Sequence, residues 1–189
     1  MYYLKNGELT VEIASLGAEM KSLKDNRTGL EYLWEGDPAF WKRTSPVLSR
    51  WLEITVIRRA SMRVGPIVSS LISEGGLLTE EKVNYVLEHQ ELQIVEDLFA
   101  KDALVMEHDQ AHEVSLIAPD GNPYVTVAFE APLFGIWAPK GGKAAFVCIE
   151  PWYGRCARTN FQKKLEEREW GNTLASGESF EASYTITLG

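Results

Sequence analysis

Cysteine and histidine, two residue types that often bind metals, are scarce in this sequence of 189 residues, which contains 2 cysteines and 3 histidines. Cys148 and Cys156 show neither the spacing of a metal site nor that of a redox motif. Cys148 lies in an apolar segment, which is typical of a small buried thiol. The cysteines therefore predict neither a metal centre nor a redox centre.

The histidines are His89, His108 and His112. His108 and His112 have the i, i+4 spacing of a metal pair on a helix, and acidic residues lie beside them. Strand patterns flank this segment, so no helix is expected to bring the two rings together. We therefore expect no metal and no cofactor, with a metal site at His108 and His112 as the alternative, and a surface position for His89.

Positive charge is also in short supply. The chain has 19 lysines and arginines against 27 acidic residues, a net charge of −8 and a sequence pI near 5.0. An acidic chain without a basic run is a poor partner for nucleic acid or for an anionic membrane surface, so neither is expected. No apolar run approaches the length of a membrane span, and residues 1–6 lack the apolar segment of a signal peptide. These absences predict a soluble cytoplasmic protein.

Short alternating apolar patterns and aromatic residues are abundant by contrast, with 6 Trp, 7 Tyr and 7 Phe. Period-2 alternation and turn signals such as Asn6-Gly7 predict strands at hairpin spacing. The predicted strands cover residues 9–13, 18–23, 31–34, 101–106, 114–118, 124–130, 133–138, 146–150 and 180–188. Together they predict one mainly β domain, residues 1–189, built as an antiparallel β-sandwich.

Helical patterns are weak. A single turn is predicted to start at Asp37, and a short helix over residues 82–87, where Val83 and Val86 lower the helix propensity. The charged segment 163–169 is predicted to be a solvated loop or a short helix.

The most informative stretch covers residues 146–154. Four apolar residues lead into Glu150, which is followed by Pro151, Trp152 and Tyr153. Because proline cannot donate to a sheet ladder, the pattern predicts a buried strand that stops at Glu150. A carboxylate next to aromatic faces is what a sugar site offers, and an apolar surround favours its use as a general base. A solvated glutamate at the end of a strand is the alternative.

Residues 49–73 differ from the rest of the chain. The segment is rich in arginine, and its apolar positions fit neither a clean helix nor a clean strand. It marks the clearest shift of local composition in the sequence.

Several short motifs follow one another along the chain. They are Gly17-Ala18-Glu19-Met20, Glu31-Tyr32-Leu33-Trp34, Ser45-Pro46-Val47-Leu48, Leu98-Phe99-Ala100-Lys101-Asp102, Leu133-Phe134-Gly135-Ile136-Trp137 and the stretch 146–154. In this order they resemble the aldose 1-epimerase (galactose mutarotase-like) family, in its LacX-type branch. The resemblance covers residues 1–48 and 73–189. It implies the large antiparallel β-sandwich of that family without part of its centre, a cleft for a monosaccharide, and metal-free interconversion of α and β anomers.

The resemblance also implies roles for single residues. Glu150 matches the catalytic base and Asp102 the aspartate that binds sugar hydroxyls, while Trp137 and Trp152 would line the pocket. Asp102 could equally be a turn or cap residue before a strand, and Trp137 a core tryptophan.

The chain departs from the family at its histidines. The family places its acid in a Gly-Gly-His-Pro-like stretch and a second histidine in a His-Gly-Phe-Ala-Arg-like stretch, and this chain has neither. Three functions therefore stay open. The first is an epimerase for a monosaccharide of the galactose or glucose class, with Glu150 as base; the second is a non-catalytic carbohydrate-binding relative; the third is a remnant that binds nothing specific.

Out-of-frame translation is our hypothesis for the odd segment, and the gene can test it. When the last base of each codon is joined to the first two of the next, residues 52–63 permit the string GDNRYTAGQYE, which resembles what the family places after its lost run. We expect the nucleotide sequence across codons 45–76 to carry this remnant in the offset frame. A gene that reads through the same codons without it contradicts the hypothesis.

Overall fold

The computed structural model describes residues 1–37, 39, 52–55, 61–87, 89–95, 97–139 and 145–189, and these form an almost purely β structure. The strands are β1 (Tyr2–Lys5), β2 (Leu9–Ile13), β3 (Met20–Asp25), β4 (Leu52–Thr55), β5 (Ser61–Arg63), β6 (Ile67–Ile72), β7 (Leu78–Tyr85), β8 (Glu91–Gln93), β9 (Leu104–Met106), β10 (Glu113–Ile117), β11 (Pro123–Phe129), β12 (Leu133–Trp137), β13 (Phe146–Trp152) and β14 (Tyr184–Leu188). A short 3-10 helix covers Leu165–Glu167.

The strands form three sheets in which the paired strands run antiparallel. The largest has the order β4-β13-β12-β9-β6-β7, the second has the order β14-β11-β10-β5-β8, and β1-β2-β3 form a small third sheet. The predicted antiparallel, mainly β architecture is therefore confirmed.

The main core lies between the two larger sheets. Leu116 and Val127 of the five-stranded sheet and Met106, Phe134 and Ile149 of the six-stranded sheet belong to one cluster of buried side chains. Burying a side chain of this size stabilises a protein by about 1.5–3 kcal/mol. Since alternate residues of a strand face opposite sides, one face of the six-stranded sheet is committed to this core. The other face is left for a site.

Two local predictions are wrong. Residues 82–87 do not form a helix, because Leu78–Tyr85 is the strand β7 and pairs with β6 over most of its length. Residues 31–34 do not form a regular strand either; Glu31 and Leu33 make only isolated bridges, to Lys24 and Ile54. For residues 78–85, antiparallel pairing with the preceding strand β6 outweighed the local helix propensity.

The predicted end of the strand at Glu150 is also wrong, since β13 continues through Pro151 to Trp152. Pro151 lies opposite Phe134 of β12, whereas the register with β4 on the other side runs only from Phe146 to Ile149. Within the described residues, Pro151 therefore has a strand neighbour on one side only. A proline is tolerated at such an edge because its missing N–H leaves no ladder bond unmade.

The atypical segment 49–73 contributes three strands. β4 pairs with β13, β5 lies between β10 and β8, and β6 lies between β9 and β7. The prediction that the segment fits no strand is therefore wrong for these residues. The strands with which they pair lie in other parts of the chain, so the composition of the segment does not reveal the pairing. The frame hypothesis itself stays a prediction.

Two predictions at the edge of this segment fall outside the described residues. In the turn predicted from Asp37, the Asp37 side chain accepts a hydrogen bond from the Ala39 amide at 2.8 Å, and the remainder of that turn is not described. The motif at 45–48 also lies outside. The structure describes no helix that is long and apolar enough to cross a membrane.

Candidate functional site

A cavity of about 620 Å³ lies on the face of the six-stranded sheet that points away from the core. Its lining includes the four residues singled out in the sequence, Asp102, Trp137, Glu150 and Trp152. These residues come from three separate parts of the chain, and the sheet brings them together. The volume is within the range of small-molecule sites, roughly 300–1,000 Å³.

The strand register places these side chains on one face. Glu150 of β13 lies opposite Gly135 of β12, which lies opposite Val105 of β9. Side chains two residues apart on a strand point the same way, so Trp152 shares the face of Glu150 and Trp137 shares that of Gly135. The alternation that buries one face in the core thus collects two tryptophans and a carboxylate on the other.

Glu150 is buried, with only 4% of the residue exposed to solvent. The indole N–H of Trp152 donates a hydrogen bond to its Oε2 at 3.2 Å. A buried carboxylate is costly unless it is hydrogen-bonded, and this bond offsets part of that cost. The alternative of a solvated glutamate at a strand end is therefore wrong.

Gly135 makes room for the Trp152 ring. A Cβ at position 135 would lie 2.7 Å from Cζ2 and 3.0 Å from Cη2 of that indole, closer than carbon atoms approach without displacement. The missing side chain thus lets the indole lie across β12 while its N–H reaches Glu150. This role was not predicted from the sequence, although a glycine inside a strand pattern indicates the close approach of another group.

Asp102 and Trp137 each combine features of the two roles considered for them. Asp102 lies in the turn before β9 with φ of 83°, and its Oδ1 accepts a hydrogen bond from the Ala103 amide at 2.8 Å. It is exposed and lines the cavity as well. Trp137 is half-buried and packs on Phe146, with ring centroids 6.3 Å apart, while part of it lines the cavity. Their substrate-binding roles stay predictions.

A network of charged residues lies beside the cavity, and the sequence did not predict it. Its centre is Glu107, which is 2% exposed. Glu107 Oε1 accepts hydrogen bonds from Arg155 Nε at 2.8 Å and from Trp170 Nε1 at 3.2 Å, and Oε2 accepts from Ser70 Oγ at 2.7 Å. Arg158 Nη2 adds an ion pair at 3.1 Å. This carboxylate is therefore fully enclosed by donors.

Burial by itself would raise the pKa of Glu107. The hydrogen bonds from Ser70 and Arg155 and the charges of Arg155 and Arg158 outweigh that effect and lower the pKa to about 2. The hydrogen bond from Arg155 likewise lowers the pKa of Glu169 below its usual value. Both carboxylates therefore stay ionised at neutral pH, and the ion pairs of the network persist there.

The prediction of a solvated loop or short helix at 163–169 is confirmed, since these residues are exposed apart from the half-buried Arg168, and in addition Glu169 and the neighbouring Trp170 join the network. Glu169 pairs with the Nη2 atom of Arg155 and with Arg158 Nε at 3.0 Å, and Trp170 bonds Glu107. The exposed 3-10 helix Leu165–Glu167 also fits the prediction. The charge pattern of the segment did not indicate which cations Glu169 would meet, because Arg155 and Arg158 lie outside it.

The histidines lie apart from this cavity, since none is among its described lining residues. His89 is exposed. The His108 ring packs on Trp170 with centroids 5.3 Å apart, and His112 Nε2 lies 3.9 Å from Asp109 Oδ1. Over the described ranges, no three histidine, cysteine or acidic side chains are placed to share a metal ion.

Two solved structures share this fold. One is a galactose mutarotase-like protein from Lactobacillus casei ATCC 334, with a TM-score of 0.82 and 14% identity over 98% of this chain and 97% of that one. The other is a galactose mutarotase related enzyme from Lactobacillus acidophilus, with a TM-score of 0.83 and 18% identity over 100% of this chain and 97% of that one. At this identity the likeness concerns the fold.

Sequence similarity is confined to a shorter stretch. The plasmid and chromosomal LacX proteins of Lactococcus lactis subsp. lactis are each 49% identical to this chain over 45 residues. That stretch is 24% of this chain, and it spans only 15% of the length of LacX. No family model matches the sequence. The predicted absence of a central block of the family stays a prediction.

Replacing Gly135 with alanine tests the packing of Trp152. The added methyl group must displace the indole, so we expect Gly135→Ala to lower the free energy of unfolding by about 1–3 kcal/mol, as overpacking does. The near-ultraviolet circular dichroism of the tryptophans should change with it. Gly7→Ala, where a Cβ meets nothing within 4 Å, is the control. An unchanged spectrum and stability in Gly135→Ala would contradict the close contact.

The low pKa of Glu107 makes stability depend on acid pH. A carboxylate whose pKa is lowered by folding stabilises the protein above its unfolded pKa, near 4.5, and this contribution is lost as the pH falls towards 2. We expect the free energy of unfolding to drop by roughly 3 kcal/mol over that interval because of Glu107. Denaturant titrations at several pH values measure it.

The matched variants separate Glu107 from the other carboxylates. Glu107→Gln should flatten the pH dependence, whereas Glu113→Gln, on an exposed residue, should keep it. Equal slopes in wild type and Glu107→Gln would show that the buried carboxylate does not carry the effect.

Proposed function

Since the chain has the galactose mutarotase-like fold, we propose that it is an aldose 1-epimerase-like isomerase, which interconverts the α and β anomers of a monosaccharide of the galactose or glucose class. The observation that carries the proposal is Glu150, a buried carboxylate held by an indole N–H at the wall of a cavity that also contains two tryptophans. No cofactor is part of the proposal.

The lining of the cavity suits a sugar ring. Trp137 and Trp152 offer flat apolar surfaces for the C–H face of a pyranose, and Val105 and Ile72 extend that surface. Few polar groups are placed among them, chiefly the carboxylates of Glu150 and Asp102, which accept hydrogen bonds from hydroxyl groups. An apolar cavity with a small number of directed polar groups is the usual composition of such a site.

In the proposed reaction, Glu150 takes the proton of the hydroxyl group on C1. The electron pair of that O–H bond forms the C1=O double bond, and the bond from C1 to the ring oxygen breaks with its electron pair on the oxygen. The ring oxygen then takes a proton from an acid. Rotation about the C1–C2 bond presents the other face of the aldehyde, and the same steps in reverse close the ring as the other anomer.

The acid of this reaction is where the chain differs from the family it resembles. Among the described lining residues no histidine stands in the cavity. We therefore propose that water donates the proton to the ring oxygen. One positioned proton-transfer group is typically worth on the order of a hundredfold in rate or more, so the reaction should be slow compared with that of a two-group site.

A non-catalytic carbohydrate-binding protein is the second candidate, and the same observation favours it. The aromatic walls and the carboxylates would bind a sugar without a positioned acid.

For either candidate we propose a cytoplasmic location. The support for it is that Cys148 and Cys156 are both free, as is usual in a reducing compartment.

Optical rotation of freshly dissolved α-galactose and α-glucose tests the proposed catalysis. We expect added protein to speed the approach to equilibrium, and Glu150→Gln to lower kcat by a hundredfold or more because the amide cannot take the proton. Glu130→Gln changes an exposed residue that directly follows β11 of the other large sheet, and this control should keep the rate.

A tryptophan fluorescence titration with the same sugars separates the two candidates. Saturable binding without any acceleration of anomerisation would establish the carbohydrate-binding protein in place of the enzyme. If neither the rate nor the fluorescence responds to sugar, both candidates are wrong.

A further inference from the structure

The wall of the cavity that follows β13 is attached to the rest of the protein by buried charges. Gly154, Arg155 and Cys156 line the cavity directly after the strand that carries Glu150. The side chain of Arg155 is 1% exposed, so its guanidinium group does not face a ligand. It points behind the wall, and its contacts there determine what it does.

All three guanidinium nitrogens of Arg155 are bound, and to three different parts of the chain. Nε donates to Glu107 Oε1 at 2.8 Å, Nη1 donates to the Cys156 carbonyl oxygen at 2.8 Å, and Nη2 donates to Glu169. Glu107 directly follows β9, which lies in the middle of the six-stranded sheet. A rigid planar fork with three acceptors in different directions fixes the position of the backbone that carries it.

A second segment packs behind the same wall. The indole N–H of Trp170 donates to Glu107 at 3.2 Å, and Asn172 Nδ2 donates to the Tyr153 carbonyl oxygen at 2.6 Å. A Cβ at Gly154 would lie 2.9 Å from the Trp170 carbonyl oxygen, so the two backbones are in direct contact there. The wall is therefore held between the sheet and residues 169–172.

Arg158 attaches the same wall at a further point along the chain. It donates to the Thr79 carbonyl oxygen at 2.8 Å and pairs with Glu107 and Glu169. Beside it, the Thr159 amide donates to the Leu78 carbonyl oxygen at 2.8 Å, which ties the segment to β7. The wall is thus attached at β9, at β7 and at residues 169–172.

We propose that Glu107 and Arg155 are positioning residues, which clamp the cavity wall at residues 153–159 so that the sugar meets a preformed surface beside Glu150. This inference rests on the proposed function for its sugar, although the clamp itself can be observed without one. Neither side chain touches the substrate. Their effect reaches it through the backbone of Gly154 and Cys156 and through the adjacent Trp152.

Kinetics of galactose anomerisation, measured well below the melting temperature, test the clamp. We expect Glu107→Gln to raise KM about tenfold and to leave kcat within about twofold, because a displaced wall weakens binding while Glu150 keeps its place on the strand. Loss of folded protein would do the opposite, since it lowers the apparent kcat and leaves KM unchanged. That opposite result overturns the inference.

Two further variants separate position from charge. Arg155→Lys keeps the positive charge, but an ammonium group cannot replace the planar guanidinium group that donates to three acceptors. We therefore expect KM to be raised in this variant, as in Glu107→Gln. In Glu107→Gln alone, the buried charge of Arg155 loses its partner. The double variant Glu107→Gln with Arg155→Gln removes both charges, so we expect its free energy of unfolding to recover relative to that of the single variant. Recovery of KM together with stability would show that the pair acts only on folding, and would overturn the clamp.

Hydrogen exchange provides a readout that needs no sugar. In Glu107→Gln we expect the Thr159 amide to exchange at least tenfold faster than in wild type, while the Phe129 amide, which donates to His112 in the other large sheet, keeps its rate. Equal acceleration of both amides indicates global destabilisation and overturns the inference. If the wild type binds no sugar and Thr159 alone responds, the clamp stands and the proposed function is wrong.

Discussion

The pairing of β13 with β12 is the interaction on which the rest of the structure depends. Its register sets Glu150 opposite Gly135 and Trp152 opposite Leu133, while Ile149 and Phe134 face the core. A shift by one residue would turn the carboxylate into the core and the apolar side chains into the cavity. The apolar core between the sheets therefore also fixes the face on which the site forms.

Among the side chains that the structure describes, two buried carboxylates lie on that face, and their surroundings give them different properties. Two arginines and a serine lower the pKa of Glu107 to about 2 against the effect of burial, and together with a tryptophan they occupy its oxygens with protein donors. Glu150 lines the cavity and receives a hydrogen bond from an indole N–H. The first carboxylate is thus suited to holding the structure in place, and the second to meeting a ligand. Burial alone does not distinguish them; the partners do.

The fold accommodates a segment whose composition departs from the rest of the chain. β4, β5 and β6 come from residues predicted to fit no regular element, yet each pairs with strands from other parts of the chain. A sheet supplies most of the hydrogen bonds of a strand from its neighbours, so a short segment of mixed composition can be ordered by them. For that reason, the strand content was harder to predict here than in β10 or β11, where alternation is regular.

Sequence patterns were enough to predict the mainly antiparallel β architecture, most of the strands after residue 100, and the four residues Asp102, Trp137, Glu150 and Trp152, which line one cavity. Period-2 alternation, turn residues and short motifs are local signals, and each can be read within a few residues. Three features became evident only in the folded chain. β13 runs past Pro151, Gly135 makes room for Trp152, and Glu107, Arg155 and Glu169 meet behind the cavity wall. These depend on contacts between residues up to dozens of positions apart, and no local pattern records which distant partner a strand or a buried charge will find.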